Sequence, residues 1–440
     1  MMDRMLPDTA GRSQSGNLSV GGCDLLDLAQ RFGTPLYVFD EATIRGRLRA
    51  YRDGLRRWTG GGDVLYSAKA YLSPAMVRIL VEEDCGADVV SGAELEIALR
   101  GGLAAARIAF PGNNKSAAEL DAAVAAGVGH LVVDSEHELE LLAGRTDGAR
   151  VRALLRVSPG VQPDTHAHIS TGQVDSKFGF GVAGGQAMAA LRRALGVAAL
   201  DVSGLHMHIG SQILELRSHA AAVDALAEFA AAARDELGFE ARTVSAGGGL
   251  GIAHTSAETP PPIAEFLKVL TESVGRSFSA RGLRLPALHV EPGRSVVGPA
   301  GVALYTVGAR KEIPGVRTYV SVDGGMADNI RPELYGARYQ PLLVRDPEAA
   351  PVETVTIAGR YCESTDVLVR DCPMPGLQAG DILAVPAAGA YTLSMASNYN
   401  AGLRPAVVFV HDGNARLVRR RETVDDLLRC EVTGATVTPS

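Results

Sequence analysis

The chain has 440 residues, of which 46% are hydrophobic and 21% are charged, and its formal net charge is -7. This length suits a large domain joined to a smaller one, and the acidic balance gives no reason to expect nucleic acid or an anionic membrane surface as a partner. No apolar run approaches the roughly 18 residues that a spanning helix needs, and five cysteines without paired metal spacing predict reduced thiols, no metal site and a cytoplasmic location. The polar N-terminal segment predicts no signal peptide.

From about residue 40 to residue 295 the sequence alternates between helical and strand-like segments. The predicted strands are short and apolar, as strands covered on both faces are: 63–68, 86–90, 107–111, 130–134, 151–158, 202–209, 242–246 and 287–291. The predicted helices are 42–58, 74–83, 93–100, 116–126, 135–144, 185–195, 216–237 and 262–281. Eight helix-then-strand units are typical of a closed, TIM-like (β/α)8 barrel within the α/β class. An open doubly wound sheet is the alternative, although it would not repeat this regularly.

After residue 295 the sequence becomes rich in β-branched residues between turns. Strand-like runs occupy 301–313, 318–325, 352–364 and 381–393, and residues 406–420 predict a hairpin that turns at Asp-Gly-Asn. No strong helix is predicted before 422–429. The isolated "NLSVGG" near the start is expected to join this part, because a lone strand needs a sheet. The sequence therefore predicts a barrel domain at 39–297 and an all-β second domain at 1–38 and 298–440, a Greek-key-like sandwich or barrel.

Polar and glycine residues lie where several predicted barrel strands end. Lys69 follows the first strand, His208 and Ser211 lie at the end of the sixth, and three glycines follow the seventh in "GGGLG". Barrel enzymes place their sites at the C-terminal ends of the strands, so these residues are expected on one rim. A lysine at the end of an apolar strand would be costly to bury unless its amine is used. The alternative is a lysine whose amine reaches solvent at the strand end.

The loops after the seventh and eighth strands resemble a phosphate site. They carry Gly247-Gly248-Gly249 and Gly293-Arg294, and glycine amides can approach an anion closely. A tight barrel turn is the alternative explanation of the glycines. A phosphate site together with a lysine predicts pyridoxal 5'-phosphate, which is held as a Schiff base to a lysine amine.

Three side chains are predicted to act on the ring of that cofactor or to lie near it. Glu291 would keep the pyridine nitrogen protonated by its opposite charge. His208 would stack on the ring face. His206 points the same way along its strand but lies deeper, and we expect it to be a hydrogen-bonded core histidine.

The motifs together resemble those of the fold-type III pyridoxal-phosphate decarboxylases and, within that family, of the diaminopimelate decarboxylases. They are "YSAKA", "ADVVSGAELEIAL", "HISTGQVDSKFGF", "HMHIGSQI", "GGGLGI", "EPGRS", "DGGMADNIRPELYGARY", "CESTDVL" and "GAYTLSMASNYN". They run from about residue 20 to residue 410. The resemblance implies an alanine-racemase-like barrel with a β domain. It also implies decarboxylation of meso-2,6-diaminopimelate to L-lysine and CO₂, the final step of bacterial lysine synthesis.

The resemblance also implies a role for individual residues. Lys69, His208 and Cys362 would be catalytic, with Lys69 as the Schiff-base lysine and Cys362 as the proton donor. The cofactor would be held by Lys69, His208, Ser211, Gly248, Gly249, Glu291, Gly293, Arg294 and Tyr391. The substrate would be bound by Arg294, Arg331, Tyr335, Glu363 and Tyr391. The site would be shared across a homodimer, with Cys362 and Glu363 reaching Lys69 of the partner subunit.

Arginine forks suit a carboxylate and Glu363 suits an ammonium, which fits a substrate with a second amino-carboxylate centre. Alternatives are a sister decarboxylase acting on ornithine, arginine, carboxynorspermidine or a carrier-tethered amino acid, a racemase, and a non-catalytic cofactor-binding regulator. Arg331 could instead be a surface charge and Cys362 a small buried residue. Thr365 and Thr392-Leu393 depart from the family pattern.

Overall fold

The computed structural model describes residues 4–145, 148–161 and 176–432. The chain divides into two compact units. The first consists of residues 43–253 and 257–298. The second consists of the segment up to residue 42, residues 254–256 and the chain from residue 299 onward. Most of the "HISTGQVDSKFGF" motif lies outside the described residues.

The first unit is a barrel of eight parallel strands. In chain order they are Leu65–Ser67, Gly86–Asp88, Ile108–Phe110, His130–Val133, Val151–Ser158, Leu200–His206, Thr243–Ser245 and Ala287–His289, and a short strand Phe180–Gly181 is added beside the fifth. The ring closes through a parallel bridge between Val64 and Val290, where the Leu65 N–H donates to the Val290 carbonyl at 2.9 Å. This closure confirms the predicted barrel and excludes the open doubly wound sheet.

Eight helices alternate with these strands. They are Glu41–Leu55, Pro74–Glu82, Gly92–Arg100, Ala117–Ala126, Glu136–Ala143, Gln186–Leu195, Arg217–Leu237 and Ile263–Ala280, and a four-residue helix Arg294–Val297 follows the eighth strand. All eight match the predicted segments to within three residues at each end. Among the described helices, none combines the length and the apolar character that crossing a bilayer requires.

Serine caps explain where four of these helices begin. Ser73, Ser91, Ser116 and Ser135 each lie between a barrel strand and the next helix, and each hydroxyl accepts the backbone N–H three residues later. Such a bond satisfies one of the four unpaired amides of the first turn and contributes about 1 kcal/mol. The repeated cap fixes the point at which the chain leaves the barrel rim.

The second unit is built around a mixed β-sheet, which confirms an all-β second domain. Its strands are Leu36–Asp40, Gly301–Ile313, Arg317–Val322, Leu342–Leu343, Glu353–Ala358, Val367–Met374, Ile382–Val385, Ala406–His411 and Asn414–Arg419. The long strand Gly301–Ile313 pairs with Leu36–Asp40 and Ile382–Val385 along its first half and with Arg317–Val322 along its second half. The predicted hairpin after residue 406 is confirmed.

Several features of the second unit differ from the prediction. The segment "NLSVGG" lies in this unit, but its strand Leu18–Val20 pairs with Gly11–Arg12 and Cys23–Asp24 in a small sheet of its own and not with the main sheet. Strand Val367–Met374 was not predicted, because its arginine, aspartate and proline interrupt the apolar pattern. A five-residue helix, Arg331–Tyr335, lies before the predicted C-terminal helix, which spans Val424–Leu428. A short helix at Leu25–Phe32 was also not predicted.

Candidate active site

Lys69 lies directly after the first barrel strand, in a single 3-10 turn over residues 68–70. Ala68 and Ala70 are each 1% exposed, whereas the Lys69 side chain is exposed. Burial of the two alanines anchors the turn, and it leaves the amine at the barrel rim with little desolvation cost.

Glu291 is a buried carboxylate with two partners inside the barrel. Ser245, at the end of the seventh strand, donates its hydroxyl to Oε1 at 2.6 Å, and His206 Nε2 lies 3.1 Å from Oε2. Burial raises the pKa of Glu291, but His206 and the Ser245 hydrogen bond more than offset it, so the pKa lies below its usual value. The carboxylate is thus held ionised although it is 6% exposed. His206 is the hydrogen-bonded core histidine that was predicted, and its partner is Glu291.

The glycine loop after the seventh strand fixes the ring of His208. The Gly248 N–H donates to His208 Nδ1 at 3.2 Å, and the Gly247 N–H donates to the Ser245 hydroxyl at 3.2 Å. Burial, followed by the charges of Lys69 and Arg156, lowers the pKa of His208 well below its usual value. The ring is therefore neutral, and because Nδ1 accepts a hydrogen bond its proton is on Nε2.

Close approach of the backbone explains why these positions are glycines. A Cβ atom on Gly248 would lie 2.3 Å from the Glu291 carbonyl, and one on Gly249 would lie 2.8 Å from the Gly210 carbonyl. The loop is therefore a tight barrel turn as well as a candidate phosphate cradle. Among the described residues only Gly249 of the three has an N–H without an acceptor, since the other two amides bind Ser245 and His208.

Ser211 and Arg294 link the loops after the sixth and eighth strands. Arg294 is 6% exposed and donates to the Ser211 hydroxyl from Nη2 at 2.9 Å and from Nε at 3.3 Å. A Cβ atom on Gly293 would lie 3.0 Å from Cβ of Ser67, so the eighth loop packs against the end of the strand that precedes Lys69. A guanidinium, a hydroxyl and a glycine-rich backbone therefore meet at one side of the rim. This donor set suits a phosphate.

Asp88 is a site residue that was not predicted. It ends the second strand, is 3% exposed, and accepts the Ser67 hydroxyl at 2.9 Å. Burial and then the Glu291 charge raise the pKa of Asp88, while Lys69 and Ser67 oppose that rise. The sequence pattern could have indicated Asp88 as a site residue, because Asp88 lies at the end of a barrel strand, as Lys69 does.

A buried charged group near the fourth and fifth strands was not predicted either. Arg156 donates to Asp134 at 2.8 Å, and the Gly179 N–H donates to the other oxygen of Asp134 at 2.6 Å. Lys115 and Glu138 form an ion pair at 2.9 Å with side chains 1% and 2% exposed. Paired in this way, the charges can remain in the protein interior.

In the second unit, Arg331, Tyr335 and Tyr391 lie together. The Arg331 guanidinium is 5.7 Å from the centre of the Tyr335 ring and 5.9 Å from that of Tyr391, and its Nε donates to the Tyr339 hydroxyl at 3.0 Å. Arg331 is 5% exposed, so the alternative of a surface charge is wrong. The aromatic rings hold the guanidinium in one orientation, as carboxylate recognition requires.

Cys362 and Glu363 lie in an exposed turn of the second unit. The alternative that Cys362 is a small buried residue is therefore wrong. All five cysteines of the chain are free. Thr392, one of the departures from the family pattern, is fully buried and donates to the Ala388 carbonyl at 2.6 Å, so it holds the turn before Tyr391.

The barrel residues fit pyridoxal phosphate by their chemistry. An exposed amine, a buried carboxylate held ionised, a neutral imidazole and a serine-arginine pair beside a glycine turn match its aldehyde, its ring nitrogen, its ring face and its phosphate. Each of these groups comes from the C-terminal end of a barrel strand, where such sites are expected.

Comparisons with known proteins agree with this chemistry. Residues 41–298 match the family of the pyridoxal-dependent decarboxylase pyridoxal-binding domain. The chain is 45% identical over 419 residues to a diaminopimelate decarboxylase of Halalkalibacterium halodurans, with 95% of each chain covered, and 43% identical to one of Bacillus subtilis, with 97% of this chain and 98% of that one covered. A crystal structure of diaminopimelate decarboxylase from M. jannaschii in complex with L-lysine superposes with a TM-score of 0.91, at 36% identity and with 98% and 99% covered.

Proposed function

The chain belongs to the pyridoxal-dependent decarboxylase family, and from this premise we propose that it is a carboxy-lyase that converts meso-2,6-diaminopimelate to L-lysine and CO₂. Its cofactor is pyridoxal 5'-phosphate. The main support for this proposal is the buried Glu291 carboxylate, which Ser245 and His206 hold ionised. An anion at this point favours a protonated ring nitrogen, which a decarboxylase needs.

When bound, the cofactor withdraws the electron pair that remains on the substrate carbon after CO₂ leaves. Lys69 would anchor the cofactor through its amine. Glu291 would keep a proton on the ring nitrogen, and the neutral His208 would cover one face of the ring. Ser211, Gly249 and Arg294 would bind the phosphate, while the Gly248 amide holds His208 in place.

The residues of the second unit would recognise and protonate the substrate. Arg331 offers a fixed guanidinium for the distal carboxylate, with the rings of Tyr335 and Tyr391 close to it. Glu363 would pair with the distal ammonium, and Cys362 would protonate the carbon that loses CO₂. Binding the distal centre orients the reacting bond, so remote contacts contribute to turnover as well as to affinity.

We place this site at a two-fold interface. Cys362 and Glu363 are exposed, so a homodimer in which they reach Lys69 of the partner subunit would complete the site. This arrangement is supported by the resemblance to the family. The cytoplasmic location stays a prediction that rests on the sequence.

The test is a direct assay of purified protein loaded with cofactor. Meso-diaminopimelate should give L-lysine and CO₂ in equal amounts, while ornithine, arginine and carboxynorspermidine should release little CO₂. Arg331→Lys keeps the charge but loses the bidentate fork, so it should raise KM for diaminopimelate. Faster release of CO₂ from ornithine than from diaminopimelate would favour the sister decarboxylase instead.

A further inference from the structure

The turn that carries Cys362 and Glu363 is held on its inner side by Asp366. The Tyr361 N–H donates to Asp366 Oδ2 at 2.8 Å, and the Asp366 N–H donates to the Glu363 carbonyl at 3.1 Å. Asp366 is 3% exposed and also accepts the Met326 N–H at 2.7 Å. The two ends of the turn are thus fixed, although its tip is exposed.

Two consecutive residues hold the tip itself. The Cys362 N–H donates to Asn400 Oδ1 at 2.8 Å, and the Tyr399 hydroxyl donates to the Cys362 carbonyl at 3.2 Å. A Cβ atom on Gly402 would lie 2.8 Å from the Tyr361 ring, so residues 399–402 pack directly against the turn. Both backbone polar groups of one exposed cysteine are therefore bound by side chains that lie nearly forty residues further along the chain.

The backbone at Asn400 is in a conformation that few residues adopt. Its φ is 51° and its ψ is 31°, which is the left-handed region, and Ala401 follows with a φ of 55°. Asparagine tolerates this region better than other side chains do, but non-glycine residues usually remain there only when the surrounding structure holds them. The side chain of Asn400 makes its contact with the Cys362 amide, so the unusual conformation serves that contact.

We propose that Asn400, assisted by Tyr399, is a positioning residue that fixes the direction from which Cys362 delivers its proton. This inference rests on the proposed function. As the bond to CO₂ breaks, the electron pair left on carbon takes the thiol proton, and the resulting thiolate regains a proton from solvent. With its N–H and carbonyl both bound, Cys362 has little freedom about its backbone, and its Cβ–Sγ bond points from a fixed origin.

The test compares four variants of the holoenzyme. Asn400→Gly keeps the left-handed backbone but removes the acceptor, and should lower kcat about tenfold or more with KM within about twofold of wild type, because misplaced catalytic groups cost rate before affinity. Asn400→Asp keeps an acceptor oxygen and should recover most of kcat, and Tyr399→Phe should lower it less than Asn400→Gly. Ala401→Gly, a change in the same segment that removes no contact to Cys362, should behave as wild type.

Hydrogen exchange provides a readout that does not depend on turnover. In cofactor-free protein, a peptide that spans Cys362 should take up about one more deuteron at early times in Asn400→Gly than in wild type. Asn400→Asp and Ala401→Gly should not show this gain. Unchanged kcat or unchanged exchange in Asn400→Gly overturns the inference. Full turnover by Cys362→Ala would instead overturn the assigned role of the thiol, whereas an inactive Cys362→Ala beside an active Asn400→Gly would refute the positioning role alone.

Discussion

Replacing Glu291 by glutamine removes one charge from the barrel interior and little else. Glutamine has nearly the same shape, and its amide can still meet Ser245 and His206, which bind the two carboxylate oxygens at 2.6 and 3.1 Å. What disappears is the anion that stabilises a protonated ring nitrogen.

An opposite charge at close range shifts a pKa by about 1–3 units, and each unit corresponds to a factor of ten. We therefore expect Glu291→Gln to lower kcat by about 10- to 1000-fold. Phosphate binding through Ser211 and Arg294 should be retained, so the cofactor should still bind.

Ser245→Ala is the matched control, because it removes a hydrogen bond from the same carboxylate and leaves the charge. Losing a hydrogen bond to a charged group costs about 1.5–3 kcal/mol, so the pKa of Glu291 should rise by about 1–2 units. Because that pKa starts below its usual value, the carboxylate stays ionised at pH 8. We expect less than a tenfold loss of kcat at that pH.

The assay is CO₂ release from meso-diaminopimelate at pH 8, with cofactor content measured by absorbance. If Glu291→Gln kept more than a third of wild-type turnover, the carboxylate would not be the partner of the ring nitrogen. An equal loss in both variants would show that hydrogen bonding in the barrel matters more than the charge.

Three further predictions concern the buried charges and the substrate. Lys115→Met leaves the Glu138 carboxylate without its cation in the interior. The variant should lower the free energy of unfolding by about 3–5 kcal/mol, measured by urea melts at pH 8. The double variant Lys115→Met with Glu138→Leu should recover most of the lost stability. Burial lowers the pKa of His289 to about 4, so the native state resists protonation and stability should fall as pH drops from about 6.5 to 4. His289→Gln should reduce the slope of the free energy of unfolding against pH by the equivalent of about one proton. An unchanged slope would contradict this prediction. Glu363→Ala should raise KM for diaminopimelate without loss of cofactor. Glu312→Ala, a surface control, should change neither KM nor cofactor content. Equal effects of the two substitutions would refute the role of Glu363.

The sequence predicts the barrel well because its signal is local. Each strand is a short apolar run before a polar residue, and serine caps mark the start of four of the helices, so boundaries agree to within a few residues. Strand Leu36–Asp40 was missed although it is fully buried. Its place between Gly301–Ile313 and Ala406–His411 is set by partners more than 250 residues away, which no local pattern reports.

In the candidate site too, the sequence predicts what depends on local pattern and misses what depends on distant partners. Lys69, Glu291 and the glycine loop follow from their positions at strand ends. The partners of Glu291 and the contact between Ser67 and Asp88 depend on the register of neighbouring strands, which the sequence does not display. The hydrogen bond between the Asn400 side chain and the Cys362 amide joins two turns that are distant in the chain, so only the folded structure reveals it.

Identifying the lysine to which the cofactor is attached tests the proposed active site most directly. Borohydride reduction of the holoenzyme followed by peptide mapping should place the cofactor mass on Lys69, and the Lys69→Ala variant should lose both this mass and turnover. The cofactor mass on another lysine, such as Lys115, or undiminished turnover by Lys69→Ala would contradict it.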